Sequence, residues 1–202
     1  VDEPDHTRLN DCRCDPAGRL WAGTMSRERR PGTAALYRLG PGGLERAIGG
    51  TTISNGLGWS PDGRSMYFID SPTQRIDVLD YDVATGRAAD RRPLVTIPEE
   101  DGLPDGLTVD AEGGIWVALF GGGAVRRYAP DGGLDAHVAL PASHPTCPAF
   151  GGDDLRTLFV TTSRHRLTPA ERAAQPLAGA VLGLRPGPAG RPGTPFAGPV
   201  LM

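Results

Sequence analysis

A turn-plus-strand unit that returns four times, roughly every 45 residues, limits this chain to very few folds. Its copies begin Asp15-Pro16-Ala17-Gly18, Ser60-Pro61-Asp62-Gly63, Asp110-Ala111-Glu112-Gly113 and, in degenerate form, Gly152-Asp153-Asp154-Leu155. Each leads into a β-rich run, such as Leu20-Trp21-Ala22-Gly23-Thr24 or Ile115-Trp116-Val117-Ala118-Leu119. Proline fixes φ early in the turn and glycine supplies a positive φ near its end, so the turn joins two antiparallel strands. Two further short apolar runs follow each of the first three copies: Ala34–Leu39 and Leu44–Ile48, Arg75–Tyr81 and Arg92–Ile97, Ala124–Tyr128 and His137–Leu140. The last copy is followed by Val181–Leu184 and by a poorly marked run near Phe196.

Four strands per unit joined by tight turns make a β-propeller blade. The predicted class is therefore all-β, a single propeller domain over residues 1–202 with about four blades: Arg8–Gly50, Thr51–Pro98, Gly102–Pro141 and Pro145–Gly198. A β-sandwich also uses short strands, but it does not reuse one turn signature four times. Glycine (29) and proline (20) are frequent enough to suggest disorder, but they fall as punctuation between apolar runs. Trp21, Phe68, Trp116 and Phe159, each in the strand after a marker turn, are expected to be buried between blades. Helical character is confined to Thr168–Ala174, where Thr168 can cap a turn starting at Pro169.

Equivalent residues of successive blades converge on a propeller's axis, which gives a search rule. Five residues before the marker turns stand Asn10, Asn55, Asp105 and Cys147. Asn10 and Asn55 are the only asparagines in the chain, whose 21 basic residues are all arginine. Taken singly, each would be an ordinary strand-entry turn residue. In register, two amide oxygens and a carboxylate suit a hard divalent cation with bound water, Ca²⁺ first, with Mg²⁺, Mn²⁺ or Zn²⁺ as alternatives. Cys12, Cys14 and Cys147 lack zinc-ligand spacing and read as free thiols of the core.

Arg8-Leu9-Asn10-Asp11, Asp15-Pro16-x-Gly18-Arg19-x-x-Ala22-Gly23-Thr24-Met25, Ile53-Ser54-Asn55-Gly56-Leu57 and Pro104-Asp105-Gly106-Leu107 together resemble the senescence-marker-protein/gluconolactonase/luciferin-regenerating-enzyme family. Phe150-Gly151-Gly152-Asp153-Asp154 fits the same pattern. The resemblance implies a six-bladed propeller that hydrolyses a sugar lactone with one divalent metal on its axis. It implies metal ligation by Asn55 and Asp105, and substrate contacts by Arg8, Asn10 and Glu28. The family's further glutamate ligand belongs to a blade upstream of Arg8, and Asp2 and Glu3 lie too close to Arg8 to replace it. About two blades are thus expected to be absent at the N-terminus, and the chain by itself is expected to bind metal weakly and turn over little lactone.

The expected chemistry is Lewis-acid polarisation of the lactone carbonyl, with Asp105 as the catalytic group that orients or deprotonates water. No G-x-S-x-G nucleophile elbow occurs. Of the four histidines only His144 lies near an inner-strand start, as a candidate base. The alternative is a non-catalytic propeller serving as a calcium- or partner-binding scaffold. A net charge of −3 gives no general attraction to nucleic acid or anionic membranes, and no apolar run approaches the ~20 residues of a span. A small lactone, with no obligate protein partner, is the expected ligand. The polar start Val1–His6 is unlike a signal peptide, and a cytoplasmic location is expected.

Overall fold

The computed structural model describes residues 5–198 and consists of four antiparallel sheets in chain order. Blade 1 is β1 (Thr7–Cys14), β2 (Leu20–Ser26), β3 (Ala34–Gly40) and β4 (Gly43–Thr51). Blade 2 is β5 (Ser54–Trp59), β6 (Ser65–Asp70), β7 (Arg75–Asp82) and β8 (Arg87–Thr96). Blade 3 is β9 (Leu103–Val109), β10 (Ile115–Phe120), β11 (Ala124–Tyr128) and β12 (Leu134–Ala139). Blade 4 has three strands, β13 (Pro145–Gly151), β14 (Thr157–Thr162) and β15 (Val181–Leu184). The innermost strands β1, β5, β9 and β13 pack side by side in that order, as a propeller requires. Asp2 and Glu3 lie outside the described residues. No helix among the described residues is long and apolar enough to cross a membrane.

The marker turns hold for a local reason. Asp15 Oδ1 accepts the backbone N–H groups of Ala17 (2.9 Å) and Arg19 (3.0 Å), while Oδ2 takes the Trp21 indole N–H (3.2 Å). Asp110 repeats this with Glu112, Gly114 and Trp116, whose indole donates at 2.9 Å. An aspartate thus satisfies the turn backbone and fixes the tryptophan at the second position of the next strand. Between β14 and β15, Thr168 caps α1 (Pro169–Ala174) through a capping box with Glu171.

The blades are joined by apolar seams. Trp21 and Leu36 of blade 1 meet Leu57, Trp59, Met66 and Phe68 of blade 2, with Trp21, Trp59 and Tyr81 in mutual edge contacts at 5.8–6.1 Å. Ile69 and Ile76 of blade 2 meet Leu107 and Val117 of blade 3, and Trp116 meets Leu158 and Val160 of blade 4. Each such fully buried side chain removes apolar surface worth about 1.5–3 kcal/mol.

Three expectations are corrected. Trp21, Phe68 and Trp116 are buried, but Phe159 is 41% exposed and its neighbour Leu158 fills the seam. A strand turns successive side chains to opposite faces, so a one-residue difference in register exchanges Phe159 for Leu158. No fourth strand forms near Phe196; residues 185–198 instead cross the base of the blades. The cysteines are free, yet Cys12 is exposed and Cys14 and Cys147 are half-buried, so none belongs to the close-packed core.

Candidate axial site

The inner strands share an irregularity that the repeat count had landed on. In β1, Asn10 and Asp11 together oppose the single residue between Ala22 and Thr24; in β5, Asn55 and Gly56 oppose that between Phe68 and Asp70. In β9, Asp105 and Gly106 oppose that between Val117 and Leu119. Each is a β-bulge, which bends the strand and re-aims the side chain at the bulge. In blade 4 the extra residue is Thr146, one position before Cys147. The two following glycines serve close packing. A Cβ at Gly56 would lie 2.9 Å from the Asp105 carbonyl oxygen, and one at Gly106 2.8 Å from Cys147 Sγ.

Across these bulges the Asn55 amide lies near the Asp105 carboxylate and favours its charged form. It also donates to Ser71 Oγ (3.0 Å), whose hydroxyl donates to the Pro104 carbonyl (2.6 Å), so blade 2 is stitched to the strand that carries Asp105. Asn10 donates to the carbonyl of Ser54 (3.0 Å), the residue before Asn55. Arg8 is exposed and donates to Asn10 Oδ1 (3.2 Å) and to the Leu9 carbonyl (2.7 Å). Arg8 and Asn10 of blade 1 thus bond to the residue before Asn55, and Asn55 of blade 2 connects through Ser71 to the residue before Asp105 in blade 3. Glu28 follows β2 in an exposed turn, and its carboxylate is engaged by Arg30.

The electrostatics centre on Asp105. Burial pushes its carboxyl up to about 7, the Asp11 carboxylate adds to the rise, and the Asn55 amide and the Gly106 N–H oppose it. Asp11 is itself raised, first by burial, against the pull of Arg13 and the Cys12 N–H. Burial pushes the Cys147 thiol up to about 12, so it stands as a neutral group beside these carboxylates. His144 stacks on Phe120 (ring centroids 4.1 Å apart, 7° between planes), and burial lowers its pKa.

Asp11 and Arg13 were missed from the sequence. The available signal was a break in the repeat: glycine follows the bulge residue in Asn55-Gly56 and Asp105-Gly106, whereas a carboxylate follows Asn10. Among the described residues no cluster of three or more His, Cys, Asp or Glu is placed to hold a metal. The hard donors here include the Asp105 carboxylate and the Asn55 amide oxygen, with the Asp11 carboxylate nearby. A half-buried carboxylate raised by desolvation fits a cation as its neutralising partner, with water completing the shell.

Residues 1–164 match the SMP-30/Gluconolactonase/LRE-like region. A Bacillus subtilis protein named "Putative sugar lactone lactonase YvrE" is 42% identical over 201 residues, covering 98% of this chain and 69% of that protein. The crystal structure of a calcium-binding protein, regucalcin from Agrobacterium tumefaciens, superposes with a TM-score of 0.91 at 34% identity, covering 95% of this chain and 65% of that one. The structure of a gluconolactonase from Xanthomonas campestris gives 0.65 at 28% identity, covering 80% and 57%. The chain thus spans about two thirds of the length of its relatives, or less.

Proposed function

The chain belongs to the SMP-30/gluconolactonase/LRE-like family, and from that premise we propose that it is a lactonase, opening a sugar lactone of the gluconolactone type to its hydroxy acid. The observation that carries this reading is that Asn55 and Asp105 stand at equivalent bulges of neighbouring inner strands, with Asn10 at the same bulge of β1 bonded to Arg8 and to the Ser54 carbonyl. A divalent cation at Asn55 and Asp105, with Ca²⁺ suited to the oxygen donors, supplies Lewis-acid polarisation of the lactone carbonyl and makes water more acidic.

The chain's own residues do the rest. Asp105 orients the attacking water and accepts its proton as the oxygen adds to the carbonyl carbon. The ring C–O bond then breaks, and the departing ring oxygen takes the proton that Asp105 had accepted and becomes a hydroxyl, which returns Asp105 to its carboxylate form. Asn10 and Arg8 hydrogen-bond the sugar hydroxyls and hold the carbonyl over Asp105, with Glu28 adding a contact from the turn after β2. Asn55 favours the charged form of Asp105. Acid release from D-glucono-δ-lactone by a protein that carries this chain together with the two upstream blades, measured against the spontaneous rate with divalent metal and with EDTA, tests the reading. Metal-dependent acceleration supports it; a rate equal to the spontaneous one with every metal defeats it. In that case a calcium-binding scaffold without turnover becomes the better account, calcium binding being the property stated for the Agrobacterium relative.

A further inference from the structure

Three to four residues beyond Asn10, Asn55 and Asp105, about 10–13 Å further along the same strands, the inner strands frame a cavity of about 340 Å³. Arg13 of β1, Gly58 and Trp59 of β5, Thr108 of β9 and Phe150 of β13 form its walls, and residues 191–194 close it from below. Backbone bonds hold that closing segment across the base: Ala111 N–H to Ala189 O (2.9 Å), Gly190 N–H to Leu155 O (2.7 Å) and Ala197 N–H to Gly18 O (2.9 Å).

The charge of this cavity is one-sided. Two guanidiniums, Arg13 and Arg191, line it and no carboxylate does. Neither arginine is in an ion pair among the described residues. Arg13 reaches from blade 1 to Thr108 Oγ1 of blade 3 (3.1 Å), and Arg191 makes one long bond to the Ser60 carbonyl (3.4 Å). A guanidinium has five N–H donors, so both keep most of theirs for another acceptor. The acid that Arg13 senses, Asp11, does not line the cavity.

We propose that this cavity is a binding site for a small hydroxycarboxylate anion, clamped by the guanidiniums of Arg13 and Arg191. Guanidinium and carboxylate are matched in shape and charge. The hydroxyls of Thr108 and Thr194 suit a polyhydroxy chain, and Trp59 and Phe150 supply apolar wall. A bare phosphate would fill only a small part of the volume. The choice of a hydroxy acid, the product class of lactone opening, rests on the function proposed above; the preference for an anion does not.

Calorimetric titration of the 202-residue chain with D-gluconate, and separately with inorganic phosphate, in EDTA and low salt tests this apart from any turnover. The expected result is metal-independent gluconate binding, with phosphate weaker by about tenfold or more. Arg13→Gln and Arg191→Gln should each weaken gluconate by about tenfold, whereas Asp105→Asn should leave it unchanged. Arg191 stands on the exposed closing segment, so its variant remains informative if Arg13→Gln fails to fold. Absence of gluconate binding at millimolar concentration overturns the proposal. So does binding that neither arginine variant weakens, phosphate binding as tight as gluconate, or loss of binding in Asp105→Asn. Failure of the lactonase reading would instead show as missing turnover, with this binding intact.

Discussion

The phenol of Tyr81, in blade 2, donates its hydroxyl to Oδ2 of Asp15, in the marker turn of blade 1, across 2.5 Å. The same carboxylate accepts from Arg19 (2.9 Å) and from the Trp21 indole, so one buried acid organises a turn, a strand and the seam to the next blade. Removing it leaves several buried donors and one guanidinium without a partner. Asp15→Ala is expected to cost about 3–5 kcal/mol, read from urea midpoints.

Asp15 also sets an acid limit. Burial alone would raise its pKa, but the hydrogen bonds from Tyr81, Arg19 and Trp21 outweigh burial and hold it below its ordinary value. The unfolded chain, with an ordinary carboxyl near ~3.9, then binds more protons than the folded one. The stabilisation is complete above that value and fades as pH falls through the lower folded pKa. Urea melts from neutral to strongly acidic pH should show a steeper acid loss in the wild type than in Asp15→Asn. Equal slopes would mean that this aspartate does not carry the linkage.

Leu158 and Phe159 separate burial from residue type. Leu158 is wholly buried against Trp116, whereas the larger Phe159 is substantially exposed. Leu158→Ala should cost about 2–5 kcal/mol and Phe159→Ala no more than ~0.5 kcal/mol by the same melts. The reverse order would place the other face of β14 in the seam.

Gly18 ties the closing segment to the first marker turn. Its φ is +82°, and a Cβ there would sit 2.5 Å from Ala197 Cβ and 3.0 Å from Ala197 N. Gly18→Ala combines left-handed strain of about 1–2 kcal/mol with a clash that pushes residues 195–197 away. Limited proteolysis should then cut the C-terminal segment faster while the blades stay intact. An unchanged cleavage rate would show that this contact does not hold the segment down.

Within the axial site the roles should separate by magnitude. Asp105 is the group offered as both metal ligand and base, so in a protein that also carries the upstream blades Asp105→Ala should lower lactonase kcat/KM by about 10²–10⁴-fold. Glu28 sits in an exposed turn tied to Arg30, and Glu28→Ala should cost about tenfold or less, the worth of one hydrogen bond. Similar losses in both variants would contradict this division of labour.

The four-fold marker established the propeller because its chemistry is local. Asp15 and Asp110 satisfy their own turns within four residues, and Pro16, Pro61, Gly18 and Gly63 set the backbone there, so a few consecutive letters suffice. The same periodicity led to Asn10, Asn55 and Asp105, since residues at one repeat position meet on one axis whatever lies between them. Strands such as Ala124–Tyr128 and Val181–Leu184 were legible to the residue for the same local reason.

Tertiary structure decided what depends on one residue of register or on distant chain. A bulge at Thr146, one position before Cys147, has no fixed sequence signature, and the choice between Leu158 and Phe159 for the seam turned on a shift of one residue. Arg13 meets Thr108 across 95 positions, and Arg191 meets Ser60 across 131. No local propensity encodes such a pair. Closing the blades around an axis sets Asp11 near Asp105 and Arg191 beside the ends of the inner strands, because electrostatic and packing energies depend on distance in space and not along the chain.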